Sequence, residues 1–514
     1  MKILKHFKQH STLLIKTLAA LLSLALLWGL TGCAKSDLAG DMMPGNPELG
    51  MTNSAIKNDA AVPDGTPTGT PIFVENPFIS TAEENVSTFS ADVDTASYAY
   101  FRKLVNNGYT LPELMKSFGY AFRTEEFINY FKYENTSPAE GELFGVKSAI
   151  APCPWNEEAL LMQLTLQAET ATPTGGNNLV FLIDVSGSMA SKDKLPLLKT
   201  AFSYLVAQLG EDDRVSIVTY SGKEAVVLSG CAGNKGETIL KAIEKLEAGG
   251  STNGQAGLEK AYEEAQKHMI AGGNNRIIMA SDGDLNVGIS SAEELKAYVE
   301  AKRELGIYLS ILGFGTGNYR DTNMETLADH GNGVYYYIDG ESEAERIFSD
   351  QLLSTLYTVA GDVKLQISFD PAAIAQYRLI GYENRILNQE DFKDDSKDAG
   401  DVGAGHQVTV CYELIPTEAA KDTEDWMTLK VRYKPRGSAD SVENQYTIGK
   451  SAQVESSEDL LFLTALIETA MILHNSPYLG EITLTQVSEL LSGMDLSGDP
   501  ARAEFRTLIQ KLLQ

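Results

Sequence analysis

The chain is poor in the residues that most often carry out chemistry: its 514 residues include 4 cysteines, 6 histidines and 3 tryptophans. Beyond residue 32 the histidines are His268, His330, His406 and His474, far apart and without an H-E-x-x-H string. No G-x-S-x-G or P-loop sequence occurs either, so the common signatures of zinc peptidases, serine hydrolases and nucleotide-binding enzymes are missing. After Cys33 the cysteines are Cys153, Cys231 and Cys411, an odd number with no metal-ligand spacing. They read as buried free thiols, with a Cys153–Cys411 bridge as the alternative. Positive charge is scarce as well, with 42 basic against 70 acidic residues. Four lysines and no acid fall in the first 32 residues, which leaves 38 basic against 70 acidic, a balance of −32. Such a surface repels nucleic acid, which is not expected as a partner, and its simplest role is solubility. With 43% hydrophobic and 22% charged residues the chain can bury large cores, which excludes wholesale disorder and suggests several domains.

No apolar run is long enough for a retained transmembrane helix. Lys2, Lys5, Lys8 and Lys16 precede the run Thr17–Leu30, which ends in Leu30-Thr31-Gly32-Cys33. As a helix that run spans about 21 Å, short of a hydrocarbon core of about 30 Å. The segment 1–32 resembles a bacterial lipoprotein signal peptide, and that resemblance implies cleavage before Cys33 and lipidation of its thiol. The body of the protein is then expected outside the cytoplasm, held by its lipid at the cell membrane or the outer membrane. Residues 33–75, rich in Gly, Pro, Asn, Asp and Thr, read as a disordered tether.

Along the rest of the chain the hydrophobic period changes four times. Residues 76–140 read as a small N-terminal module with helices at Thr95–Asn107 and Thr124–Tyr133. Residues 141–175 alternate as half-buried strands. Between 176 and 359 short apolar or β-branched runs (Leu179–Asp184, Arg214–Tyr220, Ala225–Leu228, Arg276–Ser281, Ile307–Phe314, Val334–Ile338) alternate with amphipathic helices, the last expected over Glu341–Tyr357. This predicts an α/β fold, a doubly wound and mostly parallel sheet covered on both faces. Period two returns over 360–450, the expected second part of a β-sandwich into which the central module is inserted. Residues 451–514 read as a C-terminal helical segment, its last helix capped by Asp499 with Pro500 at the first position.

The first central strand ends in Asp184-Val185-Ser186-Gly187-Ser188, an acid and two hydroxyls at every second residue. In an extended turn the three point the same way, at the carboxyl end of a parallel strand where ligands of open α/β sheets gather. Two further loops, Gly249-Gly250-Ser251-Thr252-Asn253-Gly254 and Ser281-Asp282-Gly283-Asp284, fall at the same sheet edge. Here the chain resembles the von Willebrand factor type A (VWA) domain, whose metal-ion-dependent adhesion site combines a D-x-S-x-S loop with a separate Thr and Asp. That resemblance implies a site of Asp184, Ser186, Ser188, Thr252 and Asp282 for Mg2+, or Mn2+ or Ca2+. Ser186 and Ser188 would coordinate directly, Thr252 directly or through water, and Asp184 and Asp282 largely through water. Asp284, Ser251 and Asn253 stay outside the set. Ser87–Tyr98 and Tyr377–Arg385 are similar to flanking modules of bacterial lipoproteins bearing this domain.

Few anionic ligands would then touch the metal, which leaves it able to accept a carboxylate from outside. The expected function is a binding protein that coordinates an Asp or Glu of a protein partner, not an enzyme. A purely structural metal in an envelope scaffold is the alternative. A metal-assisted envelope hydrolase is the weaker one, since no base stands beside the site. Asp391, Asp394, Asp395, Asp398 and Asp401 lack calcium-loop order and read as a solvated loop, while Tyr335, Tyr336 and Tyr337 read as core packing.

Overall fold

The computed structural model describes residues 74–514 apart from 171–174, 222–224, 251–253, 284–291, 316–320, 352–355 and 398. The signal peptide, Cys33, the tether, Thr252, Ser251, Asn253, Asp284 and Asp398 lie outside the described residues. The described chain begins with β1 (Ile79–Ser80) and β2 (Val86–Ser90), then helices α1 (Ala96–Asn106), α2 (Leu111–Phe118) and α3 (Thr124–Tyr130). Strands β3 (Phe144–Pro152) and β4 (Leu160–Ala168) lead into the central module.

That module comprises β5 (Asn177–Asp184), α4 (Leu195–Ala207), β6 (Arg214–Tyr220), β7 (Ala225–Ala232), α5 (Gly236–Glu244) and α6 (Gly254–Lys267). It continues through β8 (Asn274–Ser281), α7 (Ala292–Arg303), β9 (Ile307–Gly313), α8 (Asp321–His330), β10 (Tyr335–Tyr337) and α9 (Glu341–Glu345). Its sheet has the order β10-β9-β8-β5-β6-β7, parallel except for the antiparallel edge strand β7. β5 is apolar on both faces because both are covered. Leu179, Phe181 and Ile183 share a core with α4, where the Phe181 and Phe202 rings stack at 4.2 Å. Val180 and Leu182 share the opposite core with Leu258 and Tyr262 of α6. Tyr335, Tyr336 and Tyr337 are all buried in the sheet.

After the module come β11 (Thr358–Phe369), β12 (Ile374–Ile380), β13 (Gly400–Gly403), β14 (Gln407–Pro416), β15 (Asp425–Pro435) and β16 (Val442–Gly449). Two antiparallel sheets result, one of order β1-β12-β14-β4-β3 and one of order β13-β11-β15-β16 with β2 on β11. β4 pairs with β14 from Gln167↔Gln407 to Leu160↔Leu414, so strands from both sides of the central module are neighbours in one sheet. The two sheets meet through aromatic contacts such as Phe369 on Tyr377, stacked at 4.2 Å, and Phe144 on Tyr433.

The chain closes with α10 (Glu458–His474), α11 (Leu484–Ser492) and α12 (Pro500–Leu512). Ser457 caps α10 through the Leu460 amide, and Asp499 caps α12 through the Arg502 amide. These helices pack on α1 and α3, for example Phe131 on Phe462 and Tyr98 on Phe505. The region 76–140 is therefore not a module of its own. β1 and β2 extend the two sandwich sheets, and α1–α3 join the C-terminal helices in one layer.

One further expectation is corrected in part. Over Glu341–Tyr357, where one helix is expected, the structure describes the five-residue α9 and then a π-helical turn, Arg346–Asp350, while 352–355 lie outside the described residues. Buried charges hold that turn, because Arg346 reaches back to Glu343 and across to the Thr95 hydroxyl. Cys153, Cys231 and Cys411 are free, which excludes the Cys153–Cys411 bridge.

Candidate metal centre

β5 delivers Asp184 to the carboxyl edge of the sheet, fully buried, with Oδ1 accepting from the Ser186 amide at 2.7 Å. That bond turns the chain, so that Ser186 Oγ and Ser188 Oγ lie 2.9 Å apart on one side. Ser186 is buried while Ser188 is exposed, which opens the cluster to solvent on one flank. The second loop is stitched to the first by backbone bonds, Gly249 amide to Val185 carbonyl at 2.7 Å and Gly187 amide to Gly250 carbonyl at 3.2 Å. Gly250 has φ +87, and a Cβ there would meet Ser221 Oγ at 2.7 Å, so the close approach requires glycine. Asp282 follows β8, the parallel neighbour of β5 in which Ala280 stands opposite Ile183, and is 2% exposed.

Asp184, Ser186, Ser188 and Asp282 thus occupy loops at one sheet edge. Thr252 lies outside the described residues; Gly250, two positions before it in the sequence, bonds directly to the first loop. Asp184 Oδ2 and Asp282 Oδ1 are buried with no hydrogen-bond partner, as is the hydroxyl of Tyr220, paired with Asp184 across β5 and β6. Burial, offset in part by the Ser186 bonds and reinforced by Asp282, raises Asp184 to about 6. A buried carboxylate oxygen without a donor is costly, and a hard cation relieves that cost. The donor set, carboxylates and hydroxyls with no sulfur or imidazole, fits Mg2+, Mn2+ or Ca2+.

Sequence reasoning missed Lys194, just before α4. Its Nζ lies 2.8 Å from Asp282 Oδ2, and its side chain runs over Gly315, where a Cβ would meet Lys194 Cε at 2.3 Å. Nothing in its local sequence sets it apart from other lysines. Reasoning also missed that helix α1, outside the central module, grips both ends of it. Lys103 Nζ lies 3.5 Å from Asp193 beside the first metal loop, and Arg102 bonds Asp339, Glu343 and the Tyr130 hydroxyl. Burial alone would raise Glu343, but Arg346 and Arg102 hold it down at about 2.

A second acidic group, Asp92, Glu126 and Glu325, brings carboxylate oxygens within 4.8 Å of one another. All of its oxygens are supplied by protein donors. Asp92 accepts from the Asp94 amide and Arg385, Glu126 from the Ser97 amide and Arg123, and Glu325 from Arg123, Asn384 and Arg385. The group is an ion-pair network with no coordination left over.

The VWA domain family model matches residues 178–350, which contain the whole of this sheet edge. An Escherichia coli (strain K12) protein named "Uncharacterized protein YfbK" is 38% identical over 467 residues, covering 85% of this chain and 80% of its own. The chain belongs to the VWA proteins, in one family with YfbK. Family models described as "von Willebrand factor" and "Uncharacterized protein YfbK, C-terminal" match residues 72–163 and 354–514. Human inter-alpha-trypsin inhibitor heavy chain H3 is 29% identical over 204 residues, 37% of this chain and 22% of its own length. Among solved structures, a VWA protein from Catenulispora acidiphila is similar over 74% of this chain and 88% of its own, at 15% identity and a TM-score of 0.40. VWA domain proteins mediate protein–protein interaction and adhesion in general.

Proposed function

We propose that this protein is a lipid-anchored binding protein of the bacterial cell envelope, held outside the cytoplasm through Cys33 at the cell membrane or outer membrane. Asp184, Ser186, Ser188, Thr252 and Asp282 would hold Mg2+, or Mn2+ or Ca2+, facing a protein partner that presents an Asp or Glu carboxylate. The observation that carries this reading is the pair of buried oxygens, Asp184 Oδ2 and Asp282 Oδ1, that no donor among the described residues satisfies. The cation would supply an electrophilic coordination position, and the residues around it do the rest. Ser186 and Ser188 offer neutral oxygens, the backbone bonds to Gly249 and Gly250 hold two loops in register, and exposed Ser188 leaves the flank from which a partner approaches.

Among the described residues, Asp184 accepts from the Ser186 amide and Asp282 pairs with Lys194, and neither bond belongs to a base that would activate water, which favours binding over hydrolysis. No helix among the described residues is long and apolar enough to cross a membrane, and the proposed attachment rests on the lipoprotein-like segment ending in Leu30-Thr31-Gly32-Cys33. The test is capture from detergent extracts of the envelope with the full chain as bait, in Mg2+, in chelator and with Asp184→Ala. A partner retained only by the unaltered chain in Mg2+ is expected. Capture unchanged in chelator overturns the adhesive reading. A chelator that lowers thermal stability without changing capture assigns the metal to a scaffold role.

A further inference from the structure

At the opposite edge of the central sheet, a cleft of about 650 Å³ separates the central module from the sandwich. The starts of β8 and β9 form one wall, including Asn275 and Tyr308, and the start of β11 with the β15–β16 turn forms the other, including Tyr357, Thr358 and Arg436. Two guanidinium groups here have no carboxylate partner. Arg276 is 2% exposed, yet its Nη1 bonds only the Ser310 hydroxyl at 2.6 Å, its Nη2 reaches the Thr358 hydroxyl at 3.4 Å, and its Nε has no partner. Its guanidinium lies 5.4 Å from the Tyr308 ring, so the two side chains that touch it on this side are themselves part of the cleft wall. Arg436 is exposed, stacked 3.7 Å over the Tyr357 ring, and makes no ion pair.

This is unusual within the molecule. The other well-buried arginines are matched: Arg102 with Asp339 and Glu343, Arg378 with Glu413, Arg385 with Asp92 and Asp329, and Arg502 with Asp459. In a chain with 70 acidic against 42 basic residues, carboxylates are not in short supply. Lys434, the remaining cation of the cleft, is paired with Asp362 at 2.6 Å. Asp401, also at the cleft, acts on Arg276 through space beyond ion-pair distance, while Arg436 repels it. A buried guanidinium whose direct partners among the described residues are hydroxyls alone has donor capacity that no contacting carboxylate uses.

We infer that this cleft binds a small molecule through a carboxylate or phosphate group, which Arg436 contacts directly and Arg276, touched by no described carboxylate, attracts from behind the wall. A planar guanidinium fork matches either oxyanion, and the Tyr308 and Tyr357 rings offer flat surface to the rest of the ligand. The site is remote from the metal loops and does not depend on the reading given to them.

The test is titration of the full chain in detergent with inorganic phosphate and, separately, acetate, followed by calorimetry and thermal denaturation against sodium chloride of matched ionic strength. Saturable binding of at least one oxyanion is expected, with Arg436→Gln weakening it at least tenfold and leaving Mg2+ binding unchanged. Arg276→Met should abolish binding while raising the melting temperature of the ligand-free chain. If Arg276→Met fails to fold, Arg436→Gln decides alone. The proposal is overturned if neither oxyanion gives a saturable response, if chloride gives the same response, or if Arg436→Gln binds as tightly as the unaltered chain.

Discussion

Two of the buried carboxylate groups in this molecule differ in their donors rather than in their acids. Asp92, Glu126 and Glu325 are the denser group, but Arg123, Arg385, Asn384 and two backbone amides supply every one of their oxygens. Asp184 and Asp282 are fewer, and each keeps one buried oxygen without a partner. A count of acids favours the first group, whereas an account of hydrogen-bond donors favours the second, where two carboxylates and two hydroxyls meet at a solvent-open flank and a cation would supply what no described donor does.

The comparison breaks most readily at Arg385. Arg385→Ala strips charge partners from Asp92, Asp94, Glu325 and Asp329 at once, and should cost about 3–5 kcal/mol in urea denaturation, with or without Mg2+. A loss below about 1 kcal/mol would mean that the network does not hold these modules together.

A smaller effect is expected at Glu125, beside the same network. Burial, then Glu383 and Asp92, raises its carboxyl from 4.5 to about 8. A carboxyl raised on folding adds stability that is fully present below its unfolded value and is lost as pH rises through the folded one. Glu125→Gln should therefore match the unaltered chain near pH 4 and exceed it by about 2 kcal/mol near pH 6, read from paired melting curves. Parallel pH profiles for the two chains would show that Glu125 is not buried as a neutral acid.

The smallest effect sharpens the metal side. Lys194→Met removes the ammonium that pairs with Asp282. It should lower the melting temperature of the metal-free chain and tighten Mg2+ binding about fivefold, about 1 kcal/mol, by calorimetry. Weaker Mg2+ binding in this variant would mean that Lys194 positions Asp282 for the metal instead of competing with it.

The sequence made the central sheet legible because parallel strands covered on both faces read as plain apolar runs, as Leu179–Ile183 and Ile277–Ala280 do. Asp184, Ser186 and Ser188 were legible because their spacing of two survives any detail of the turn. Other elements were hidden for physical reasons. β16 alternates weakly, Val442-Glu443-Asn444-Gln445, because it is an edge strand open to solvent. β1 and β13 are too short for a period to show. The joining of α1–α3 to α10–α12 depends on contacts across more than 300 positions, such as Phe131 with Phe462, which no local pattern encodes. The role of Lys194 is of the same kind, set by where Asp282 lies in space.

The insertion of the central module has a mechanical consequence. The chain leaves the sandwich from β4 and returns through β11, and each is an interior strand with hydrogen-bonded neighbours on both sides. A load hung on the metal loops would run down two covalent lines into different sheets and meet five ladders at once. The anchorage behind the grip is thus built to share tension, so a tethered partner would more readily let go of the loops than pull the module out of its frame.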